Sequence, residues 1–323
     1  MDMIFETGRM PEIGESMDGS SLSYFPGGKG ANTAIATYRA SRSKPTKLAN
    51  GRGNKGARDG IRVFMNGAVG DDDFGVVLKS RLEQDGVETS GIRTIHNTRS
   101  GTCVVIMETE SGDSRNLAYQ GANLQWTASK HNSVECLAGG EMPDLVIAHL
   151  GVQQKEVVRV LKTASQNGVD TLLNPSPAVY MAHAVYKSIT HLILNETEAA
   201  LLSGRHLDGL NNVAASEEAA EDFIQLGVTN VVITLGAKGA WYTTSDGQKG
   251  AVAAEENVIV MDTTGAGDTF VGNYATEYLR QKQLGVWDIS KAVARACKAS
   301  ARTIERLGAQ ESIPWADEID RTP

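Results

Sequence analysis

Short apolar runs alternate with longer amphipathic segments throughout the second half of the chain. Each run is bounded by polar or turn-forming residues, a pattern that predicts buried β-strands. Strands and helices in this alternation indicate βαβ units around a parallel sheet that is buried on both faces. The predicted strands are residues 145–150, 170–173, 192–194 and 231–235, and a helix is predicted over 155–167.

The first half of the chain is less regular. Glycines at 27, 28 and 30 predict a turn that leads into a helix over 32–40. Residues 61–68 predict a strand and 74–84 an amphipathic helix, and 102–108 and 115–119 predict two strands around the turn Ser111-Gly112-Asp113. Residues 41–60 are basic and lack hydrophobic periodicity. They indicate a surface insertion or, alternatively, a segment for nuclear import or an anionic partner.

Several polar or small residues fall where the predicted strands end. Ligands of parallel α/β sheets bind outside the carboxyl ends of the strands. The pattern therefore predicts a ligand site at this edge of the sheet, formed by Asn174, Asn195, Glu198, Thr234 and Gly236.

Composition narrows the class of protein. The 323 residues are 41% hydrophobic, with a net charge of -8 and a pI of about 5.4, which argues against nucleic acid as the main partner. The three widely spaced cysteines form no disulfide framework and are expected to be reduced. No apolar run approaches the ~20 residues that span a bilayer, and no signal pattern opens the chain. We expect a soluble cytoplasmic protein, with a nuclear location left open by the basic insertion.

The segment D-T-T-G-A-G-D-T-F, residues 262–270, is the strongest chemical signal. A helix that begins here exposes unpaired N–H groups and a partial positive charge, and small residues let a phosphate reach them. Asp268 then lies beside the anion, where it is suited to act as a general base for phosphoryl transfer. The alternative is a plain glycine turn with Asp268 as a cap. A Walker A motif is excluded because Gly30 follows Lys29, and a dinucleotide fingerprint because Phe270 replaces its third glycine.

Read together, six segments make the chain similar to the ribokinase branch of the PfkB carbohydrate kinase family. In chain order they are G-G-K-G-A-N (27–32), N-P-S-P (174–177), N-E-T-E-A (195–199), T-L-G-A-K-G (234–239), D-T-T-G-A-G-D-T-F and L-G-A-Q-E-S-I-P-W (307–315). The resemblance implies one kinase domain over residues 1–323. Its α/β fold would be a ribokinase-like three-layer sandwich, with a mostly parallel central sheet and a small β-sheet lid from about 5–25 and 100–120.

The resemblance also implies roles for individual residues. Asp268 would be the general base, and the amides of Gly265, Ala266, Gly267 and Asp268 would form the anion hole. Sugar hydroxyls would be held by Asp2, Gly28, Lys29 and Asn32. ATP would be bound by Asn195, Thr234, Gly236, Gly239 and Gly267. An alternative for Lys29 is a solvated turn lysine. The histidines are scattered, and we assign them no function.

Two metal ions follow from the same resemblance. Glu198, with Asn195, would organise Mg²⁺ largely through water, which suits an ion that keeps its waters; the alternative for Glu198 is a charge favoured by the helix dipole. K⁺ would be an activator, bound largely through backbone carbonyls of the loops that contain Asp262, Thr264, Thr303, Arg306, Gly308 and Ser312.

The chain departs from the family pattern at two places. If Asp2 is the aspartate of the family's N-x-D sugar-binding triplet, the asparagine and nearly all of the first strand are absent, and neighbouring strand edges are exposed. A truncated gene model, a shortened chain or a degenerate paralogue would each produce this. Gly151 stands where ribokinases usually have a glutamate, so a sugar-hydroxyl acceptor is missing.

The function expected from the resemblance is ATP-dependent phosphorylation of D-ribose at its 5-hydroxyl. Gly151 favours, as an alternative, a kinase for another sugar or a nucleoside. The absent strand favours a non-catalytic or impaired paralogue, although the complete glycine segment argues against it. Lid strands of this family often pair between subunits, so a homodimer is expected.

Overall fold

Six strands of the second half form the main sheet. The computed structural model describes residues 1–45, 60–110, 113–128, 133–205 and 213–320. The spatial order is β12-β11-β10-β9-β8-β7, with β7 to β10 parallel and β11 and β12 antiparallel to their neighbours. The strands are β7 (Leu145–His149), β8 (Asp170–Asn174), β9 (His191–Asn195), β10 (Asn230–Thr234), β11 (Ala240–Thr244) and β12 (Lys249–Val252).

Successive residues of β8 and β9 point into two different cores, which is why the central residues of these strands are apolar. Leu173 and Leu194 pack under α3 (Gln154–Gln166), α4 (Glu196–Ser203) and α5 (Val213–Gln225). Leu172 and Ile193 pack on the opposite face, under α6 (Ala266–Gln283) and α7 (Ile289–Ile304). The predicted ribokinase-like α/β fold, with helices on both faces of a mostly parallel sheet, is confirmed.

A second unit comes from the first half of the chain. The parallel strands β3 (Phe64–Gly70) and β4 (Glu88–Ile95) form a two-stranded sheet of their own. Their core partners are α1 (Lys29–Ala40) and α2 (Asp73–Gln84), through Ile35 and Leu82. Within the described residues β3 pairs only with β4, and β7 only with β8. Both strands line the same central cavity, along edges that no described strand covers.

Four strands form the sheet at the position where we predicted a lid. Their order is β2-β1-β5-β6, with β1 (Asp2–Thr7) parallel to β5 (Thr102–Glu108) and antiparallel to β2 (Ser21–Phe25). β6 (Ser114–Tyr119) is exposed along its whole length. β1 therefore belongs to this sheet and not to the central one. Residues 46–59 of the basic insertion and the turn residues 111–112 lie outside the described ranges.

Several elements differ from the sequence prediction. α1 begins three residues earlier than predicted, at Lys29, and β3 is shifted toward Gly70. β4, β11, β12, α5, α7 and the short α8 (Ala316–Asp320) were not predicted. β4 alternates buried and exposed positions around Gly91 and has no apolar run that would mark it. In the described ranges, no helix is long and apolar enough to span a bilayer.

Candidate active site

The glycine segment leads directly into α6, as predicted. Gly265 is the N-cap in the left-handed region, with φ 80°, and a Cβ there would lie 2.8 Å from the Ala309 carbonyl oxygen. Only glycine satisfies both constraints without strain. The first-turn N–H groups of Gly267 and Asp268 have no acceptor within the helix, and both residues line the central cavity. The Ala266 N–H instead donates to the Thr263 carbonyl at 3.3 Å, so in this structure it is directed into the turn and not toward an anion.

Asp268 lies in the first turn of α6 and is buried, with 7% of its surface exposed. The Asn32 amide donates to its Oδ2 at 2.8 Å across the α1–α6 contact. Burial raises the pKa of this carboxyl to about 6, and the nearby charges of Asp2 and Glu198 add to the rise. The Lys29 ammonium and the Asn32 hydrogen bond act in the opposite direction. A carboxyl with this pKa is ionised at neutral pH and still able to accept a proton.

The N-terminus of α1 brings the predicted sugar ligands to the same cavity. Gly28 is its N-cap, with φ 103°, and a Cβ on Gly27 would overlap the Asp2 carboxylate. Burial raises the pKa of Asp2, whereas the positive charges of the chain's amino group and of Lys29 lower it. Asp2, Gly28, Lys29 and Asn32 therefore all line the cavity that Asp268 also lines.

The predicted nucleotide residues divide into two groups. Asn195 and Glu198 form a reciprocal capping box at the start of α4, with hydrogen bonds of 2.8 and 3.0 Å, and both line the cavity. Thr234 also lines it, at the end of β10, and its hydroxyl donates to the Leu194 carbonyl at 3.3 Å. Gly236 and Gly239 flank the turn between β10 and β11 and are not part of the cavity wall.

The predicted K⁺ residues lie on two loops that are tied together. Asp262 accepts from the N–H of Thr264 and from the N–H of Gly308, each at 2.9 Å. Ser312 is fully buried, and its N–H donates to the Gly308 carbonyl at 3.3 Å. Thr303 is also buried, with its hydroxyl 3.1 Å from that of Thr269 on α6.

Arg306 is arranged differently from the other residues of this set. Its side chain is directed at Glu318, at 3.1 Å, and only its backbone N–H contacts the Thr303 carbonyl. Any part that Arg306 has in a cation site would therefore come from its backbone.

One cavity of about 2260 Å³ joins Asp268, the predicted sugar ligands, Asn195, Glu198 and Thr234. It is bounded by the four-stranded sheet, the N-termini of α1 and α6, and the carboxyl ends of β7, β8 and β9. Sites between layers and at strand ends are the usual ligand positions of α/β proteins. The described residues contain no group of three or more His, Cys, Asp or Glu that could hold a metal by themselves.

His149, to which the sequence analysis assigns no function, also lines the cavity. Its ring lies between Thr33 Oγ1, at 3.0 Å from Nε2, and Asn174 Oδ1, at 3.1 Å from Nδ1. Asn174 donates its amide to the Ile193 carbonyl at 2.9 Å, so its oxygen accepts and the imidazole carries its proton on Nδ1. Burial lowers the pKa of His149 to about 4, which keeps it neutral. The sequence signal that could have placed His149 at the cavity was its position at the end of the strand β7.

Gln310 is the second residue that was missed. It is 1% exposed and donates its amide to Asn32 Oδ1 at 3.1 Å. The sequence offered only its place within the segment L-G-A-Q-E-S-I-P-W.

The fold and the site define an α/β kinase of the ribokinase-like class. The sequence model of the pfkB family of carbohydrate kinases matches residues 1–316. Ribokinase of Schizosaccharomyces pombe is 34% identical over 322 residues, covering 99% of this chain and 93% of that protein. Ribokinase of Bacillus subtilis is 30% identical over 321 residues, with coverages of 99% and 95%. The crystal structure of Thermotoga maritima ribokinase matches with a TM-score of 0.79, 25% identity and coverages of 99% and 94%. The chain belongs to the pfkB family of carbohydrate kinases, as its motifs predicted.

Proposed function

We propose that this chain transfers the γ-phosphoryl group of ATP to the 5-hydroxyl of D-ribose, giving D-ribose 5-phosphate and ADP. The observation that supports it most is the buried Asp268 carboxylate. It lies beside the free amides of the α6 N-terminus, in the cavity that is also lined by the predicted sugar ligands Asp2, Lys29 and Asn32. The names of the relatives from S. pombe and B. subtilis support ribose as the acceptor.

Asp268 would act as the general base. The sugar 5-oxygen forms a bond to the γ-phosphorus while the bond between that phosphorus and the β–γ bridging oxygen breaks, and the hydroxyl proton passes to the Asp268 carboxylate. A base with a pKa near the working pH is effective in such a step. The N–H groups of Gly267 and Asp268, at the positive end of α6, would stabilise the charge on the transferring group.

The sugar would be held by the α1 N-terminus. Lys29 donates through its ammonium group, Asn32 through its amide, and the Asp2 carboxylate accepts from hydroxyls. The Gly28 backbone, which leaves no side chain in the way, lets a sugar approach closely. ATP would lie against Thr234 and Asn195, with Gly236 and Gly239 on the adjacent turn.

Glu198 and Asn195 fit a water-mediated Mg²⁺ site. One carboxylate oxygen of Glu198 already accepts the Asn195 N–H, which fixes the side chain at the cavity wall and leaves its second oxygen for a hydrated ion. Mg²⁺ would neutralise charge on the ATP phosphates. A single carboxylate agrees with the lack of a cluster of three or more ligands among the described residues.

A K⁺ site on the loops of Asp262 and Gly308 would act on the anion hole. Both carboxylate oxygens of Asp262 are used by N–H groups, so a cation would meet mainly carbonyl oxygens there. Gly265 packs against the Ala309 carbonyl, which connects the second loop to the N-cap of α6. The other members of the proposed set are Thr264, Thr303, Arg306 and Ser312.

The test is ADP release with ATP, Mg²⁺ and D-ribose, with and without K⁺, for the wild type and Asp268→Asn. We expect K⁺-stimulated turnover that falls by roughly 10²–10⁴-fold in the variant, the usual contribution of a general base. Asp73→Asn is a matched control, because Asp73 also lies in the first turn of a helix but on the surface. Equal rates in Asp268→Asn and wild type, or no phosphorylation of ribose, would reject the proposal.

Gly151 supports a second candidate, a kinase for another sugar or a nucleoside. A Cβ at this position meets no atom within 4 Å, so there is open space in the cavity where a larger acceptor would fit. A panel of pentoses, hexoses and nucleosides led by a compound other than ribose would select this candidate. ATP binding without turnover on any member would instead indicate an impaired paralogue.

We also propose that the protein is a homodimer through its four-stranded sheet. The outer strands β2 and β6 expose the apolar side chains of Leu22, Tyr24, Leu117 and Tyr119. Exposed apolar side chains on edge strands favour pairing with a second copy. Light scattering after gel filtration should give twice the chain mass of 34.5 kDa, and a monomer at all concentrations would contradict this.

A further inference from the structure

Two side-chain amides connect the C-terminal loop to Asp268. Gln310 Nε2 donates to Asn32 Oδ1 at 3.1 Å, and Asn32 Nδ2 donates to Asp268 Oδ2 at 2.8 Å. All three residues are buried, with 1%, 4% and 7% of their surfaces exposed. Water therefore has little access to compete for these two hydrogen bonds.

The direction of both hydrogen bonds is set by chemistry. An ionised carboxylate only accepts, so Asn32 must present its NH₂ group to Asp268 and its oxygen to Gln310. Gln310 must then present its own NH₂ group. A donor at position 310 thus prevents the Asn32 amide from turning over and placing an oxygen against the base.

The backbone of Gln310 is fixed as firmly as its side chain. The Arg39 guanidinium, on α1, donates to the carbonyls of Gln310 and Ile313 at 2.8 and 2.9 Å. Arg39 is itself buried and held by Asp85 at 2.6 Å. The loop is therefore bound to the helix that supplies Asn32, and the distance between the two amides is constrained from both sides.

Packing alone does not explain a glutamine at this position. The Gln310 Oε1 atom is buried and accepts no hydrogen bond from any residue in the described ranges. An apolar side chain of the same length would fill this space and remove that unpartnered acceptor, which is unfavourable in the interior, but it would leave Asn32 Oδ1 without its donor. What the glutamine adds is the N–H that Asn32 receives.

We propose that Gln310 is a positioning residue, which fixes the orientation of the Asn32 amide and thereby holds the Asp268 carboxylate ready to take the sugar proton. The inference rests on the proposed function, since it assigns Asp268 the role of base. It also connects the loop between Gly308 and Ser312 to the base by a route of side chains, separate from the packing of Ala309 on Gly265.

Loss of the Gln310 N–H donor should change the pKa of Asp268. Lys29 on α1, Asp2 on β1 and Glu198 on α4 are the charged groups that act on this carboxylate, and substitution at 310 leaves all three in place. The Asn32 hydrogen bond favours the ionised form of Asp268. An Asn32 amide that is free to turn over donates less often, so the pKa of Asp268 should rise.

The experiment compares Gln310→Met and Gln310→Glu with the control Glu311→Gln. Glu311 lies in the same loop, but its carboxylate is exposed and faces Arg81 at 3.6 Å. In Gln310→Met we expect kcat for ribose to fall by roughly tenfold. The acidic limb of the pH–rate profile should move up by about one pH unit. Gln310→Glu, which supplies an acceptor and a negative charge, should lose more of its kcat than Gln310→Met. The KM for ATP should not change in either variant, and Glu311→Gln should match the wild type.

Thermal unfolding separates the proposed role of Gln310 from a purely structural one. The number of unpartnered buried oxygens is unchanged in Gln310→Met, because Gln310 Oε1 is removed while Asn32 Oδ1 loses its donor. The proposal therefore predicts that the melting temperature of Gln310→Met stays near that of the wild type. A loss of activity that follows a loss of folded protein, with the acidic limb at its original pH, would overturn the proposal.

A readout that needs no turnover separates this proposal from the kinase function. The carboxyl carbon of Asp268, assigned in ¹³C-labelled protein by its absence from Asp268→Asn, can be titrated by NMR without ATP or sugar. A higher pKa of Asp268 in Gln310→Met than in wild type supports the positioning role of Gln310 even if ribose is not the substrate. An unchanged pKa rejects this role even if the protein proves to be a ribokinase.

Discussion

Replacing the buried Asp268 carboxyl by an amide should stabilise the folded protein increasingly, relative to the wild type, as the pH rises from 5 to 7.5. The pKa of Asp268 is 3.8 in an exposed setting and about 6 in the fold, mainly because burial disfavours the charged form. The folded state therefore holds this proton more tightly than the unfolded chain. Stability contributed by the protonated carboxyl is complete below about pH 4 and is lost as the pH rises through 6. Asp268→Asn has no proton to lose and avoids this loss.

The magnitude follows from the pKa difference. A difference of about two pH units corresponds to about 3 kcal/mol, at 1.36 kcal/mol per unit. About half of this, or about 1.5 kcal/mol, should develop between pH 5 and pH 7.5, a range in which the protein can be handled. The free energy of unfolding of Asp268→Asn minus that of the wild type should rise by this amount, whatever constant offset the amide itself introduces.

Urea unfolding without ligands at pH 5, 6 and 7.5 measures this difference. Asp73→Asn serves again as control, because it makes the same substitution in the first turn of a helix but on the surface. A pH-independent difference for Asp268→Asn would show that the carboxyl is not held at a raised pKa. A difference that falls with pH would mean that hydrogen bonds and Lys29 outweigh burial. Either result would refute our explanation of how the base is prepared.

Three further substitutions test other parts of the site. Gly151→Glu should fold normally, because its Cβ enters open space. It should lower the KM for ribose by roughly tenfold, because the carboxylate is a new hydroxyl acceptor. An unchanged KM would place this position away from the sugar. Arg39→Met should lower the free energy of unfolding by about 3 kcal/mol, since it leaves the buried Asp85 with only Arg81 as charged partner. Adding Asp85→Leu to this variant should restore part of the lost stability. A loss below about 1 kcal/mol in Arg39→Met would contradict the prediction. Gly28→Ala should cost about 1–2 kcal/mol because of its φ of 103°, with a weaker ribose affinity measured alongside; an unchanged melting temperature would show that the turn relaxes.

One half of the candidate site could be predicted from the sequence because its signals are local. The strands that end at Asn174, Asn195 and Thr234 are five residues long, and each contains a short apolar run. The polar residues at their ends converge by the geometry of a parallel sheet. The small residues before Asp268 also predict an anion site from a local signal, since small residues before an amphipathic helix have few other physical explanations.

The remaining contacts could not be predicted because they join distant parts of the chain. Gln310 and Asn32 are 278 positions apart, and the hydrogen bond between them exists only once the C-terminal loop is bound to α1. His149 meets Thr33 across 116 positions. β1 has no alternation that would mark it as a strand. Its place is set by pairing with β5, which lies about one hundred residues further along the chain.

The position of Asp268 relative to Asn32 depends on one helix contact more than on the sheet. Asn32 belongs to the unit built on β3, whereas Asp268 lies over the main sheet, and no described strand joins these two sheets by hydrogen bonds. α1 and α6 meet at Gly272, one turn beyond Asp268, where an added Cβ would lie 2.6 Å from that of Ala36. Only glycine lets the two backbones approach so closely, and the Thr276 hydroxyl fastens the next turn to the Thr37 carbonyl at 3.3 Å. The 2.8 Å separation between Asn32 and Asp268 is therefore maintained by α1 packed on α6, so this contact does not require a continuous sheet beneath it.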